Sequence, residues 1–355
     1  MNPGAIWWGQ IGTSIKFIES VSNHLRDCRS AVLRVPRRFP WRQDFYASID
    51  LHRTAFSGER RLMRLSWREG TEPGEFILDE LCSNKVRADY WPGQSYAAYL
   101  GSKGDILLCD YYIWVKDVHT RADMERWVEF VTEYERCSAA LERAATFIIE
   151  YDGEKVPSSE LPLIPFCIQN YDCRVFSLEA AAELHNTNLP DYQAELALHL
   201  ANGDPELCFA LLQTGERLLR GPVKTALGVS KNNCAVSDLP VEPLDESLAN
   251  SAAWKASLVL LFPALERYRI HIVDKYRDEL RRHLPISNSY GEQVTDPEDL
   301  EINALSYLSA AGHIFSPTEV KHLRLCRHVR NSLAHNKYVP FEEAAQVLLD
   351  CNEIK

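Results

Sequence analysis

Residues 318–340, TEVKHLRLCRHVRNSLAHNKYVP, decide how the C-terminal part of this chain folds. Apolar residues recur there at steps of three and four, which predicts one amphipathic helix with a buried stripe of Val320, Leu323, Cys326, Val329 and Leu333. A capping residue and a proline at Ser316-Pro317 mark its start, and Pro340 limits its end. Between Thr318 and Tyr338 there are five Lys or Arg and one acid, so this stretch carries +4 in a chain of net charge −11.

The end of this predicted helix reads Arg330-Asn331-Ser332-Leu333-Ala334-His335. Histidine suits proton transfer near neutrality because its pKa is about 6.5, and the planar guanidinium of arginine meets two phosphate oxygens at once. Positions five apart on a helix lie roughly 140° apart, whereas Asn331 and His335 share a face. Arg330 and His335 therefore meet one phosphate only if the helix loosens near Ala334 or a second copy faces the first.

The Arg, four residues and His, with Asn directly after the Arg, resemble the R-x(4–6)-H motif of HEPN domains. These are small helical bundles, many of them metal-independent endoribonucleases that work as dimers with a composite site. The resemblance covers about 100 residues, less than a third of the chain. It implies that His335 is the acid/base group, Arg330 the phosphate clamp and Asn331 a positioning residue, with RNA contacts from Arg324, Arg327 and Lys337, and with no metal or cofactor.

Structural roles for the same residues stay open. A histidine at the end of a helix can interact with the helix dipole, and Arg330 can pair with Glu342 or Glu343. HEPN-like bundles also serve as assembly modules without catalysis. A ribonuclease requires Arg330 and His335 to face solvent in a basic cleft, whereas a scaffold allows either to be buried or ion-paired.

Composition limits the remaining classes of protein. A chain of 355 residues that is 46% hydrophobic and 25% charged is typical of a globular protein of two or three domains. Its ten cysteines are single, with no C-x-x-C, which favours reduced thiols in the cytoplasm over disulfides or a zinc site. The N-terminus lacks the pattern of a secretory signal, and the longest apolar run, 256–265, is too short to span a membrane.

The first 155 residues alternate between helical and strand-like patterns. Strands are predicted at 31–35, 61–65, 105–110 and 146–150, with helices at 14–28, 42–53, 74–82 and 122–144. This alternation predicts an α/β domain over residues 1–155, with a mainly parallel sheet in three layers.

That order of elements, with an apolar strand ending in Asp110, resembles the core of AAA- or STAND-type P-loop NTPases. A P-loop needs G-x-x-x-x-G-K-[ST] after its first strand, so that backbone amides can surround the phosphates. This chain has Pro36-Arg37-Arg38-Phe39-Pro40-Trp41-Arg42 there, without glycine. The resemblance therefore implies a degenerate NTPase-like domain that does not hydrolyse ATP and acts as a sensor or scaffold.

Basic residues are concentrated between Arg26 and Arg68, where eleven Arg and four acids give a local charge of +7. Such a cluster is either a solvated, ion-paired face or a surface that binds RNA phosphates. For the second alternative we predict RNA contacts from Arg37, Arg38 and Arg42. Aromatic side chains that would stack on bases are also present: Trp41, Phe45, Tyr46 and Trp67.

Residues 156–355 have mainly helical sequence patterns. Residues 156–245 are predicted to form an all-α connector, with a Pro-rich linker at 156–172, helices at 178–185, 192–201 and 207–220, and a boundary segment at 221–245. Residues 246–355 are predicted to form the HEPN-like bundle, with a long helix kinked or broken at Pro263 and the Arg330–His335 motif on the third of four helices.

These predictions combine into one functional hypothesis with an alternative. The chain is expected to be a cytoplasmic, conditional, HEPN-type endoribonuclease that cleaves RNA as a homodimer. Its N-terminal domain and a protein activator or inhibitor would regulate it, as in antiviral defence or toxin–antitoxin systems. The alternative is a non-catalytic assembly protein. A net charge of −11 argues against indiscriminate nucleic-acid binding, so any RNA contact must come from local basic patches.

Overall fold

The computed structural model describes residues 1–56, 58, 60–103, 107–153, 160–236, 244–287, 291–311 and 314–352. The chain divides into two compact units, Asn2–Asp172 and Cys173–Lys355. The predicted domain boundary at residue 155 lies outside the described residues, and the units separate at Asp172. The second unit contains the predicted bundle and the predicted connector from Cys173 on, whereas residues 160–172 of that connector belong to the first unit.

The first unit is an α/β fold with a five-stranded parallel sheet, as predicted. Its strands are β1 Ala31–Arg34, β2 Arg61–Ser66, β3 Tyr111–Val118, β4 Thr146–Tyr151 and β5 Leu163–Pro165. They lie in the order β2-β3-β4-β1-β5, with every neighbouring pair parallel. Its helices are α1 Pro3–Gln10, α2 Gly12–Arg26, α3 Arg42–Thr54, α4 Pro73–Leu81, α5 Asn84–Ala88, α6 Tyr96–Ser102 and α7 Arg121–Ser138.

Helices cover both faces of this sheet. Side chains alternate along β3, so Trp114 packs against Phe45 of α3 on one face with ring centroids 5.9 Å apart. Its neighbours Ile113 and Val115 belong to the core on the other face, which includes Trp127 of α7. Three layers result, helices–sheet–helices, each interface filled by aromatic side chains.

The third strand does not lie where it was predicted. Of the predicted strand 105–110, residues 105 and 106 lie outside the described residues, and residues 107–110 form bends and a turn. The strand begins at Tyr111 because its Tyr, Ile, Trp and Val side chains favour an extended, buried backbone more strongly than the shorter run before it. Asp110 therefore precedes the strand, and the acid near its carboxyl end is Asp117.

The second unit is built around one long helix. Its helices are α8 Asn170–Leu184 (which starts at the end of the first unit), α9 Pro190–Ala201, α10 Pro205–Leu212, α11 Glu216–Arg220, α12 Pro222–Val236, α13 Glu246–Lys275, α14 Arg277–Arg282, α15 Ile302–Ala311, α16 Pro317–Ala334 and α17 Phe341–Asn352. A two-stranded ladder, β6 Ile286–Ser287 with β7 Gln293–Val294, and the 3₁₀ turn Pro297–Asp299 precede α15. Helix α13 packs against α9, α12, α16 and α17.

Several helix boundaries differ from the predictions. The predicted helix 207–220 is divided by a left-handed Gly215 into α10 and α11. The predicted boundary segment 221–245 contains α12, and the predicted linker 156–172 contains β5. A kink or a break was predicted at Pro263. Helix α13 continues through this residue, so the break does not occur. Val259 and Pro263 are both exposed, so water can reach the carbonyl that this proline leaves unpaired.

Within the described residues, α13 alone has the length and apolar composition that a membrane-spanning helix needs. Its buried side contacts the helices around it, and core helices of soluble proteins have the same composition. Six cysteines are free thiols: Cys28, Cys82, Cys109, Cys137, Cys167 and Cys208.

Candidate functional site

Helix α16 carries the Arg330–His335 motif and begins at a capping box. The Ser316 hydroxyl accepts a hydrogen bond from the Glu319 backbone N–H at 3.3 Å, and the Ser316 N–H donates to the Glu319 carboxylate at 2.8 Å. Its core side holds four of the five predicted apolar residues, Leu323, Cys326, Val329 and Leu333, all buried, while the fifth, Val320, is half-buried. The predicted amphipathic helix is therefore confirmed.

The helix ends at Ala334, earlier than the predicted stretch to Pro340. Asn336 adopts the left-handed conformation at φ 57°. The Asn336 N–H donates to the Leu333 carbonyl at 3.1 Å and the Lys337 N–H to the Ser332 carbonyl at 3.0 Å. This is a Schellman termination. His335 is consequently the C-cap, and its backbone is no longer helical.

Both ends of α16 are attached to α13. Near the start, Lys275 Nζ donates to Glu319 at 2.7 Å and the Tyr276 hydroxyl at 2.6 Å. Burial alone would raise the pKa of Glu319, but hydrogen bonds from Lys275, Ser316 and Tyr276 outweigh it and lower the pKa to about 2. At the other end, the Trp254 indole donates to the Leu333 carbonyl at 2.9 Å. These bonds fix the position at which His335 leaves the helix.

One exposed side of α16 is polar and basic. Arg324, His328 and Asn331 follow at four- and three-residue steps, and His335 continues the same line at the C-cap. Arg324, Arg327, His335 and Lys337 are all exposed. His328 was not among the predicted site residues, although its seven-residue spacing from His335 places both on one side. Its Nε2 lies 3.5 Å from Glu343 Oε2 of α17.

Arg330 lies on the flank of the helix rather than on this polar side. Its guanidinium is 3.4 Å from the Glu301 carboxylate, with both side chains partly exposed. The alternative pairing with Glu342 or Glu343 is not seen, since Glu342 binds Arg220 and Glu343 lies by His328. Because Arg330 and His335 diverge around the axis, one copy of the chain does not bring them together on a phosphate.

The three cations predicted in the first unit differ in their environments. Arg37 is exposed and Arg38 is half-buried. Arg42 lies 3.3 Å from Asp117 and 3.4 Å from Glu150, so its charge is already neutralised within the fold. We therefore do not include Arg42 in an RNA surface. The predicted stacking residues Phe45, Tyr46 and Trp67 are buried, which excludes them from stacking on bases.

Glu150 is the centre of this ion network and is 2% exposed. The Tyr46 hydroxyl donates to its carboxylate at 2.8 Å and the Trp114 indole at 3.1 Å. Burial, together with the nearby Glu150 charge, raises the pKa of Tyr46. The carboxylate is thus held between the Arg42 guanidinium and two neutral donors.

The network lies at the edge of the sheet where open α/β folds bind ligands. The crossovers change direction at β1, between β4 and β5, and ligands in such sheets bind outside the carboxyl ends of the strands at that point. The β1–α3 loop does not form a phosphate cradle there. Phe39 packs among aromatic rings, Trp41 adopts φ 42°, and the Trp8 indole donates to the Pro40 carbonyl at 3.0 Å.

Metal ligands are not grouped in the part of the chain that the structure describes, where no cluster of three or more His, Cys, Asp or Glu side chains could hold an ion. Comparison of the chain with protein-family models, curated proteins and solved structures finds no match. The function must therefore be inferred from the residues themselves.

Proposed function

We propose that this chain is a metal-independent endoribonuclease with His335 as its acid/base group. The observation that carries the proposal is the position of His335, exposed at the end of α16, in line with Asn331 and Arg324. Among the described residues no carboxylate pairs with His335, so its imidazole is available to a substrate. The HEPN-like motif adds the roles of phosphate clamp for Arg330 and of positioning residue for Asn331.

Cleavage of RNA without a metal proceeds by attack of the ribose 2′-OH on the adjacent phosphorus. A base removes the 2′-OH proton, the bond from phosphorus to the 5′-oxygen breaks, and an acid protonates that oxygen. Imidazole exchanges protons near neutral pH and can serve in either role. Arginine stabilises the additional negative charge on the phosphorane, as phosphate-clamping cations do in other phosphoryl transfers.

The divergence of Arg330 and His335 supports a composite site in a homodimer. On α13, in the same unit as the motif, exposed apolar side chains follow one line of the helix: Leu248, Val259, Phe262 and Ile270. Exposed apolar residues in such a row are typical of a surface that another protein covers. A second copy of this chain is the occupant that the catalytic geometry requires.

Phe262→Glu should weaken this dimer at least about tenfold, because each copy would place an unpaired carboxylate in an apolar interface. Light scattering across a dilution series would measure the dissociation constant. Leu51→Glu is the matched control, since Leu51 is an exposed leucine on α3 in the first unit. A wild type that is monomeric at all concentrations, or a Phe262→Glu variant as dimeric as wild type, would contradict the proposed interface.

For the first unit we propose a regulatory role. The all-parallel sheet and the position of β1 between β4 and β5 support the resemblance to AAA- and STAND-type NTPase cores. Arg42 and the aromatic β1–α3 loop occupy the place of a phosphate site, so we expect no ATP hydrolysis. The unit would act as a sensor or scaffold that responds to a protein partner, in a cytoplasmic system such as antiviral defence or toxin–antitoxin biology.

The test of the proposed function is cleavage of RNA by the full-length protein in EDTA. Purified protein incubated with total RNA and with defined single-stranded oligonucleotides should cleave RNA, and should leave the DNA oligonucleotide of the same sequence intact because it lacks the 2′-OH. The rate should be unchanged when EDTA is replaced by Mg²⁺. Cleavage that stops on chelation would contradict the proposal.

The alternative, an assembly module without catalysis, is favoured by the Arg330–Glu301 pair and by the apolar line on α13. A scaffold would dimerise and would leave RNA intact with every activating partner tested. When expressed in cells, it would be as toxic, or as inert, as its His335→Ala variant.

A further inference from the structure

A groove not assigned to any function lies along α12 in the second unit. It consists of two adjoining cavities of about 720 Å³ and about 540 Å³, which share Gly221, Lys224 and Gly228. The first is otherwise lined mainly by α11 and α12, and the second also by the start of α13 and by Tyr338.

The groove is lined by an excess of cations. Arg217, Lys224 and Lys231 are exposed, and among the described residues none of the three has a carboxylate partner. Two acids also line it. Glu216 binds Arg220, and Glu246 stands in the first turn of α13. The unpaired positive charges therefore outnumber the unpaired negative ones by three to one.

The cations on α12 follow one face of the helix. Lys224, Gly228 and Lys231 lie at i, i+4 and i+7, so the two ammonium groups flank a position without a side chain. Their Cα atoms are separated by about 10 Å along the axis, a span that meets two or three successive phosphates of a strand. A Cβ added at Gly228 would meet no atom within 4 Å, so packing does not require glycine there.

The groove leads toward the candidate site. Tyr338 lines the second cavity and is three residues beyond His335, which limits the separation of their Cα atoms to about 11 Å. The Trp254 bond to Leu333 holds this end of α16 on α13, the helix that also lines the cavity. A strand lying on α12 would thus reach the imidazole within a few nucleotides.

We propose that this groove binds the sugar–phosphate backbone of single-stranded RNA and guides it to His335. Lysine ammonium groups contact phosphates as point charges without reading sequence, and the Tyr338 ring offers a surface for base stacking. The identity of the strand rests on the proposed ribonuclease function, whereas its binding can be measured without cleavage. The occupant is therefore a cleavable single strand rather than a duplex or a protein.

Gly228→Glu and Gly228→Gln form a matched pair that tests the proposal. The probe is a fluorescent single-stranded 2′-O-methyl RNA of twelve nucleotides, which lacks the 2′-OH and cannot be cleaved. In full-length protein at low salt, Gly228→Glu should bind the probe about tenfold more weakly than Gly228→Gln, because only the first places a negative charge between the two lysines. Both variants should melt no lower than wild type, since either residue favours a helix over glycine.

The salt dependence of binding provides the second measurement. The slope of log K against log salt is negative, and Lys224→Gln with Lys231→Gln should reduce its magnitude by about 1.4, the change expected when two phosphate contacts on a single strand are lost. The control is Lys16→Gln with Lys85→Gln, two exposed lysines of the first unit, which should leave the slope unchanged.

If Gly228→Glu and Gly228→Gln bound the probe equally, and Lys224→Gln with Lys231→Gln left the salt slope unchanged, the proposal that the groove binds RNA would be contradicted. That is also the result expected if the groove took an acidic protein segment instead. If Gly228→Glu cleaved RNA in EDTA at the wild-type rate, at subsaturating RNA, RNA binding by the groove would be contradicted while the ribonuclease function would stand. If the probe bound through Lys224 and Lys231 but the protein cleaved no RNA, the ribonuclease function would be contradicted while RNA binding by the groove would stand.

Discussion

The His335→Ala variant is expected to cleave RNA at least about a hundredfold more slowly than wild type, the usual loss when a general acid/base group is removed. Arg330→Ala should cause a comparable loss, because the additional charge on the phosphorane would no longer be stabilised. Arg330→Lys should recover little of it, since an ammonium does not reproduce the two-pronged guanidinium contact. Initial rates on a defined oligonucleotide in EDTA would measure each effect.

These effects must be separated from unfolding. His335 is exposed and Arg330 is partly exposed, so both alanine variants should retain the wild-type free energy of unfolding within about 0.5 kcal/mol. His52→Ala removes an exposed histidine on α3 and should cleave at the wild-type rate. If His335→Ala were folded and as active as wild type, the assignment of His335 would be wrong.

Glu150→Ala should destabilise the first unit by about 3 kcal/mol, because it leaves the Arg42 guanidinium with only Asp117 and removes the acceptor of Tyr46 and Trp114. For a unit of this size the melting temperature would fall by about 6–12 °C. Differential scanning calorimetry of the full-length protein would follow that transition. Glu150→Gln should destabilise the unit less than Glu150→Ala does, since the glutamine amide oxygen still accepts hydrogen bonds.

The matched control for Glu150 is Asp79→Ala, which breaks the surface pair between Asp79 and Arg87. Asp79→Ala should lower the free energy of unfolding by less than about 1 kcal/mol because both side chains are hydrated. Equal melting temperatures for Glu150→Ala and Asp79→Ala would show that the Arg42 network does not stabilise the sheet edge.

The elements that could be predicted from sequence have a strong periodic pattern and clear end signals. Helix α17, Phe341–Asn352, is the fourth helix expected in the bundle, and its signals are Pro340 before it and the apolar residues that recur along it. Strands β1, β2 and β4 were placed within a residue or two, since short apolar runs between turn residues favour buried parallel strands. The parallel sheet followed from their alternation with helices.

Helix α12 could not be predicted because its sequence, PVKTALGVSKNNCAV, contains glycine, asparagine and serine and has no clear apolar period. Packing against α13, with Ala226 and Ser230 buried, stabilises it instead. Strand β5 is three residues long and lies in a Pro-rich segment, so only its pairing with β1 defines it as a strand. Both are consequences of tertiary contacts.

The candidate site was likewise only partly accessible from sequence. The five-residue spacing of Arg330 and His335 predicts their divergence around one helix, because the geometry of a helix is local. The partners of Arg42 were not accessible, since Asp117 lies 75 residues away along the chain. The groove cations Lys224 and Lys231 were missed together with the helix that carries them.

The 3′ termini of the RNA fragments made by the wild-type protein in EDTA test the central claim most directly. Attack by the 2′-OH, with His335 transferring the proton, predicts 2′,3′-cyclic phosphate termini opposite 5′-hydroxyl ends, and no such products from His335→Ala. Fragments with 3′-hydroxyl and 5′-phosphate ends would mean that water attacked the phosphate, and would contradict the account.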